Sequence, residues 1–272
     1  MFSTGHLIWI GISVILITAG VLYCRKTKPS LTKLIKVCFI LGLVSEFIKI
    51  VSVISIVPLV SPEVVMQNGQ PVLTYVPQND YTPMLSSEHL PLELCSLQLL
   101  FMLLVILLKD KKKQQNVYAI MYPTGIIGGV MGIVLSGAVP SAAQIADFFT
   151  SARMYQFFLY HSMIVALSIY IGMCPESGLS FKKWRLALSA LIILDFPTFY
   201  LNSVLSTKIY INDTLIGTTH RINLFSSYVN PLGLVLTEKW QWLLYLLIRF
   251  VLAVILLILI YIPLRRRPDG TT

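Results

Sequence analysis

Charge is what this chain has least of. Only 12% of its 272 residues are Asp, Glu, Lys or Arg, about half the share of an average soluble domain. So few charges cannot clothe a water-facing surface, which excludes an ordinary soluble enzyme or binding domain. Acidic residues are the scarcer kind, 12 against 21 basic ones. Cysteine is rare as well, with Cys24, Cys38, Cys95 and Cys174 the only four. Cys24, Cys38 and Cys174 fall at the expected cytoplasmic ends of apolar stretches, where thiols stay reduced. Cys95 lies toward the opposite side and has no partner there, so no disulfide framework is expected. Metal-ligand spacing, a phosphate-binding glycine loop, a haem motif and a Ser-His-Asp pattern are all missing. The expectation is therefore no metal and no organic cofactor. No internal repeat or low-complexity segment is evident.

What the chain has is apolar length. Hydrophobic residues make up 56% and the mean hydropathy is +0.78. Seven apolar stretches approach or exceed the ~20 residues a membrane helix needs. They lie near 6–24, 35–59, 91–108, 117–139, 154–173, 184–203 and 242–263. The expected fold is all-α: a polytopic membrane protein, a seven-transmembrane-helix bundle forming one integral membrane domain over residues 1–272. The first stretch has no basic residue before it and no small-residue cleavage site after it. It reads as a retained span rather than a signal peptide.

Basic residues set the expected orientation. Arg25, Lys26, Lys28, Lys33, Lys36, Lys109, Lys111, Lys112, Lys113, Lys182, Lys183, Arg185, Arg265, Arg266 and Arg267 all fall in alternate loops or the tail, fifteen of the 21. The positive-inside rule places these in the cytoplasm, hence the N-terminus outside and the C-terminus inside the cell membrane. The net charge of +9 then answers to topology and anionic headgroups, so no nucleic-acid partner is expected. The two long outer loops carry hairpin signals. Val64–Gln67 and Gln70–Tyr75 flank Asn68-Gly69, and Ile209–Ile211 and Thr214–Ile216 flank Asn212-Asp213. Small extracytoplasmic hairpins are expected there.

Ionisable residues inside spans are costly and by default functional. This chain has Glu46, Lys49, Glu93, His161, Asp195 and Arg249. At 1.5 Å per residue, Cys95 lies ~6 Å from the outer end of its span. His161 and Arg249 lie ~10 Å in, and Asp195 and Lys49 ~12–15 Å. Their common depth predicts a shared internal cavity. Within it Cys95 is a candidate nucleophile and His161 its base, since a buried thiol attacks only once a base or cation favours the thiolate. Gln98, one turn from Cys95, is a candidate oxyanion donor. Glu93, Asp195 and Arg249 are candidate substrate-binding groups, Arg249 as a phosphate or carboxylate clamp. Glu46 and Lys49, three apart, read as a structural ion pair. Against this stand bland readings: an inert membrane cysteine and a histidine hydrogen-bonded to a neighbouring helix. Gly125, Gly128, Gly129 and Gly132 allow close helix approach in the fourth span. Pro91 suits a first helical turn.

Leu90-Pro-Leu-Glu-Leu-Cys95 and Phe157-Phe-Leu-Tyr-His161 resemble motifs of the YwaF-like family of integral membrane proteins. That family is similar to an animal multi-spanning acyltransferase that remodels ether phospholipids through a membrane Cys and His. The resemblance implies an acyltransferase with membrane phospholipids as its partners, Cys95 the acyl-accepting nucleophile and His161 its base. Relatives have Pro-Trp-Tyr before the last span, whereas this chain has Trp240, Trp242 and Tyr245 without the proline. Only Cys95 and His161 are carried over. Two further readings of the intramembrane groups stand beside this one: a proton-coupled transporter or channel, and a non-catalytic lipid-binding scaffold.

Overall fold

The computed structural model describes residues 3–67, 70–85, 89–90, 92–135, 149–211, 214–220 and 238–266. Seven α-helices are bounded among them: α1 (Thr4–Thr27), α2 (Leu31–Val53), α3 (Leu97–Leu107), α4 (Lys111–Val134), α5 (Ala152–Met173), α6 (Trp184–Leu205) and α7 (Lys239–Tyr261). Two antiparallel ribbons interrupt them, β1 (Ser55–Gln67) with β2 (Gln70–Met84), and β3 (Thr207–Ile211) with β4 (Thr214–His220). The turn residues Asn68-Gly69 and Asn212-Asp213, and also Pro91, lie outside the described residues.

Five of the helices, α1, α4, α5, α6 and α7, are long and apolar enough to cross a membrane. The protein is a transmembrane protein. The other two depart from a uniform set of spans for separate reasons. α2 has the length but carries Lys33, Lys36, Glu46 and Lys49. α3 has only 11 residues, or ~16 Å against a ~30 Å hydrocarbon core. The apolar stretch near 91–108 is thus not one helix. Its first part, through Ser96, is a run of turns closed by Leu97 N–H to Glu93 O (3.0 Å) and Gln98 N–H to Cys95 O (3.2 Å). Cys95 sits in that run, outside any helix.

α4 and α5 form the centre. About 56% and 67% of their spanning windows are buried, against 11% for α1, α6 and α7. The peripheral helices turn large apolar side chains outward, such as Ile15, Ile193 and Leu243, as lipid contact requires. Glycine makes the centre tight. A Cβ on Gly129 would meet Val165, one on Gly125 would meet Ser168, and one on Gly172 would meet the Tyr122 ring.

Local signals explain the helix limits. Asp110 caps α4 by accepting from the Lys112 and Lys113 amides at 2.8 and 3.3 Å, and this allows the short turn from α3. Ser3 caps α1 through the His6 amide at 3.3 Å, and Glu238 with Gln241 forms a capping box on α7. Pro123 lies inside α4 and cannot donate to the carbonyl four residues earlier, that of Ala119. The Tyr261 hydroxyl of α7 supplies that bond at 2.6 Å.

Cross-helix contacts fix alternating directions. At one face, His6 Nε2 donates to Ile133 O (2.9 Å), Trp9 stacks on Phe158 (5.1 Å), and Gln156 Nε2 donates to Ser45 Oγ (2.6 Å). At the other, Tyr170 OH donates to Pro29 O (2.7 Å), Leu31 N–H reaches Glu176 (3.3 Å) and Lys183 Nζ donates to Asn116 (2.7 Å). The described members of the fifteen-residue basic set lie toward this second face.

Candidate functional site

A cavity of about 390 Å³ opens at the first face, between three elements. α2 contributes Glu46 and Lys49. The turn run contributes His89, Leu90, Glu93, Cys95 and Ser96. The first half of α5 contributes Arg153, Gln156, Phe157, Tyr160 and His161. The β1–β2 ribbon delivers the chain here, since Met84 ends β2 and His89 already lines the wall.

Irregular backbone at membrane depth survives only where protein satisfies it, and here protein does. Tyr160 OH donates to the Cys95 carbonyl at 2.8 Å, pinning the turn run to α5. Behind it, α4 offers glycines one turn apart. A Cβ on Gly128 would lie 3.1 Å from the Cys95 amide nitrogen, and one on Gly132 would collide with the His161 ring. Cys95 and His161 therefore rest against adjacent turns of one helix, ~6 Å apart along its axis. Cys95 is a free thiol, and Ser96 beside it also lines the cavity.

His161 is buried, with 5% of its surface exposed. Its Nδ1–H donates to the Phe157 carbonyl at 2.7 Å, because a carbonyl can only accept. That bond selects the tautomer and leaves Nε2 with the lone pair. Phe157 also packs its ring 4.1 Å from the imidazole, and Tyr160 stands edge-on at 5.6 Å. Glu46 and Lys49 form the ion pair their spacing predicts, with Lys49 almost fully buried.

Three expected members are elsewhere. Gln98 is buried, but its amide donates to Thr124 Oγ1 at 2.7 Å and it does not line the cavity. It bridges α3 to α4: one turn from Cys95 along the backbone, its side chain is turned to Thr124 and not to the cavity. Asp195 and Arg249 pair with each other across α6 and α7, away from the cavity wall. Equal depth does not mean shared space: α6 and α7 pack on the far side of the bundle from α2. Conversely, spacing alone did not point to Arg153, Gln156 and Tyr160. Arg153 and Gln156 flank the start of an apolar stretch, and Tyr160 is one of the residues inside it. The signal available was position, as all three lie within eight residues of His161.

With the fold and this geometry in view, comparison with known families gives one result. A model of the TMEM164 family matches residues 1–262. The chain belongs to the TMEM164 family. That family is a transmembrane one, in agreement with the apolar helices. No curated protein matches the chain, and no solved structure does.

Among the described residues no group of three or more His, Cys, Asp or Glu is arranged to hold a metal ion. The chemistry on offer is that of a thiol, an imidazole with a free Nε2, and a cavity carrying both signs of charge.

Proposed function

We propose that the protein is a membrane-embedded acyltransferase that moves acyl chains between phospholipids, with Cys95 as nucleophile and His161 as base. One observation carries the reading: Cys95 and His161 line the same cavity, and the Phe157 carbonyl holds His161 with Nε2 as its proton-accepting nitrogen. The YwaF-like motifs, and through them the similarity to an ether-phospholipid acyltransferase, support the same residues.

In the first half-reaction the Cys95 sulfur attacks the carbonyl carbon of a phospholipid ester and its proton passes to Nε2. The tetrahedral intermediate collapses by breaking the carbon–oxygen ester bond. Nε2 returns the proton to the departing lysolipid hydroxyl, leaving a thioester. In the second, Nε2 takes the proton of an acceptor lysolipid hydroxyl. That oxygen attacks the thioester, and the Cys95 sulfur leaves and recovers the proton. A dry site favours transfer over hydrolysis. We read α2 and α3 as the two further spans of a seven-span bundle. The Glu46–Lys49 pair neutralises α2, and the turn run completes the depth that α3 lacks. The cavity face is then the outer one, with the C-terminus cytoplasmic.

Intact-mass measurement of purified protein tests this. A hydroxylamine-labile acyl adduct is expected on wild type and is expected to vanish in Cys95→Ala. Cys95→Ala and His161→Ala each lose transfer by ~10²-fold or more, while the double variant is little worse than either single one. A cellular phospholipid acyl profile unchanged by Cys95→Ala, with no adduct on wild type, sinks the reading.

A second reading has its own support. Glu46, His89, Glu93 and His161 share one cavity, as the proton path of a coupled transporter does. Proton-coupled flux that survives Cys95→Ala but not Glu93→Gln would favour it.

A further inference from the structure

A cationic side chain near the end of a membrane helix ordinarily reaches outward, laying its stem on the apolar surface and its charge in water. Helix geometry assists, because side chains lean toward the N-terminus. Arg153, second residue of α5, does the opposite. Its guanidinium carbon lies 5.6 Å from the centroid of the Phe157 ring, one turn further into the helix. Its Nη1 donates to the Gln156 amide oxygen. Both partners line the cavity, so the charge is folded inward and gives up hydration.

Beyond the Gln156 amide oxygen and the Phe157 ring, no described carboxylate compensates for that by direct contact. Glu46 is within electrostatic range of Arg153, but it is held in the ion pair with Lys49. Among the described residues no carboxylate is ion-paired with Arg153. A guanidinium carries five N–H donors in a planar fork that matches the oxygens of a phosphate. One of the five goes to Gln156. Arg249, the clamp expected from sequence, is occupied by Asp195.

We infer that Arg153 is the phosphate-binding residue of the cavity, holding the phosphodiester of a phospholipid and selecting phosphate-bearing lipids over neutral glycerides. The choice of ligand rests on the acyl-transfer reading. The placement suits it. Arg153, Phe157 and His161 stand at i, i+4 and i+8 on α5, a stripe of ~12 Å between first and last Cα, which the folded-back guanidinium shortens. Phe157 touches both ends of that stripe, beneath Arg153 and against His161. A glycerophospholipid carries its phosphate a few bonds from its acyl esters. With the headgroup on Arg153, the ester runs along the stripe toward His161 and Cys95.

Equilibrium binding to the Cys95→Ala protein in nanodiscs tests this without chemistry, so a failed acyl-transfer reading leaves the result interpretable. The probes are lysophosphatidylglycerol, monooleoylglycerol, oleate and inorganic phosphate. The phospholipid is expected to bind ~10-fold or more tightly than the neutral glyceride, as a desolvated charge-assisted fork requires. Oleate and inorganic phosphate are expected to compete poorly. Arg153→Gln should bring the ratio near one, with monooleoylglycerol binding as the check that the cavity is intact. Arg153→Lys, which keeps the charge and loses the fork, should fall between and carries the test if the glutamine variant does not fold. A wild-type ratio near one, or a ratio unchanged in the variants, overturns the inference. Oleate binding as well as the phospholipid would make the site a carboxylate site. Inorganic phosphate doing so would make it a free-anion site. Either result overturns the headgroup assignment.

Discussion

Each member of the candidate dyad is held by a neighbour with no chemistry of its own. Tyr160 anchors Cys95 through a carbonyl, and Gly132 leaves the space the His161 ring occupies. Tyr160→Phe removes one hydrogen bond from the turn run and keeps the ring. Transfer is expected to fall ~10–100-fold by misplacing the nucleophile, with stability lowered by ~1 kcal/mol. Steady-state kinetics beside thermal unfolding in detergent separates the two, and an unchanged rate would show that Cys95 needs no such anchor. Gly132→Ala forces the imidazole to move and is expected to cost ~1–3 kcal/mol of overpacking as well as activity. Gly11→Ala is the control, because a Cβ there meets nothing within 4 Å. It should leave both unchanged or gain a few tenths of a kcal/mol, ~1 at most.

At the scale of the element, the contact between α4 and α7 turns on a proline. Pro123 deprives the Ala119 carbonyl of its helical donor, and Tyr261 replaces it from another helix. Tyr261→Phe leaves a buried acceptor unsatisfied and is expected to destabilise by ~1–3 kcal/mol. Pro123→Ala restores the intrahelical N–H, so in that background Tyr261→Phe should cost far less. A double-mutant cycle on unfolding midpoints reads the coupling, and additive costs would show that the hydroxyl and the proline act independently. α3 shows the other way an element can depart from its sequence. Its apolar run was long enough for a span, but the first part folds as turns because Tyr160 and the glycine face of α4 satisfy and enclose that backbone. Hydropathy records how apolar a segment is and is blind to the hydrogen bonds that irregular backbone can find.

For the whole molecule, the helix ends divide into two faces, the cavity at one and the basic set at the other. With the basic face in the cytoplasm, Met66→Cys on the exposed part of the β1–β2 ribbon, in a Cys95→Ala background, should react with an impermeant maleimide added to intact cells. Lys112→Cys should react only after permeabilisation. The reverse pattern would invert the orientation and put the cavity on the cytoplasmic side.

Composition determined the membrane class, because 12% charge cannot hydrate a surface of this size. The placing of apolar stretches determined where the long helices lie, since each must satisfy its own backbone. The spacing of Glu46 and Lys49 determined their pairing, because helix geometry alone makes i and i+3 neighbours. What the tertiary structure decided was company. It put Cys95 and His161, 66 positions apart in the chain, on the wall of one cavity, sent Gln98 to Thr124 and Arg249 to Asp195, and turned Arg153 inward. Depth in a bilayer is one coordinate, readable by counting residues. Which helices stand side by side, and which way a long side chain folds between them, depends on packing against surfaces distant in sequence. No local pattern encodes those surfaces.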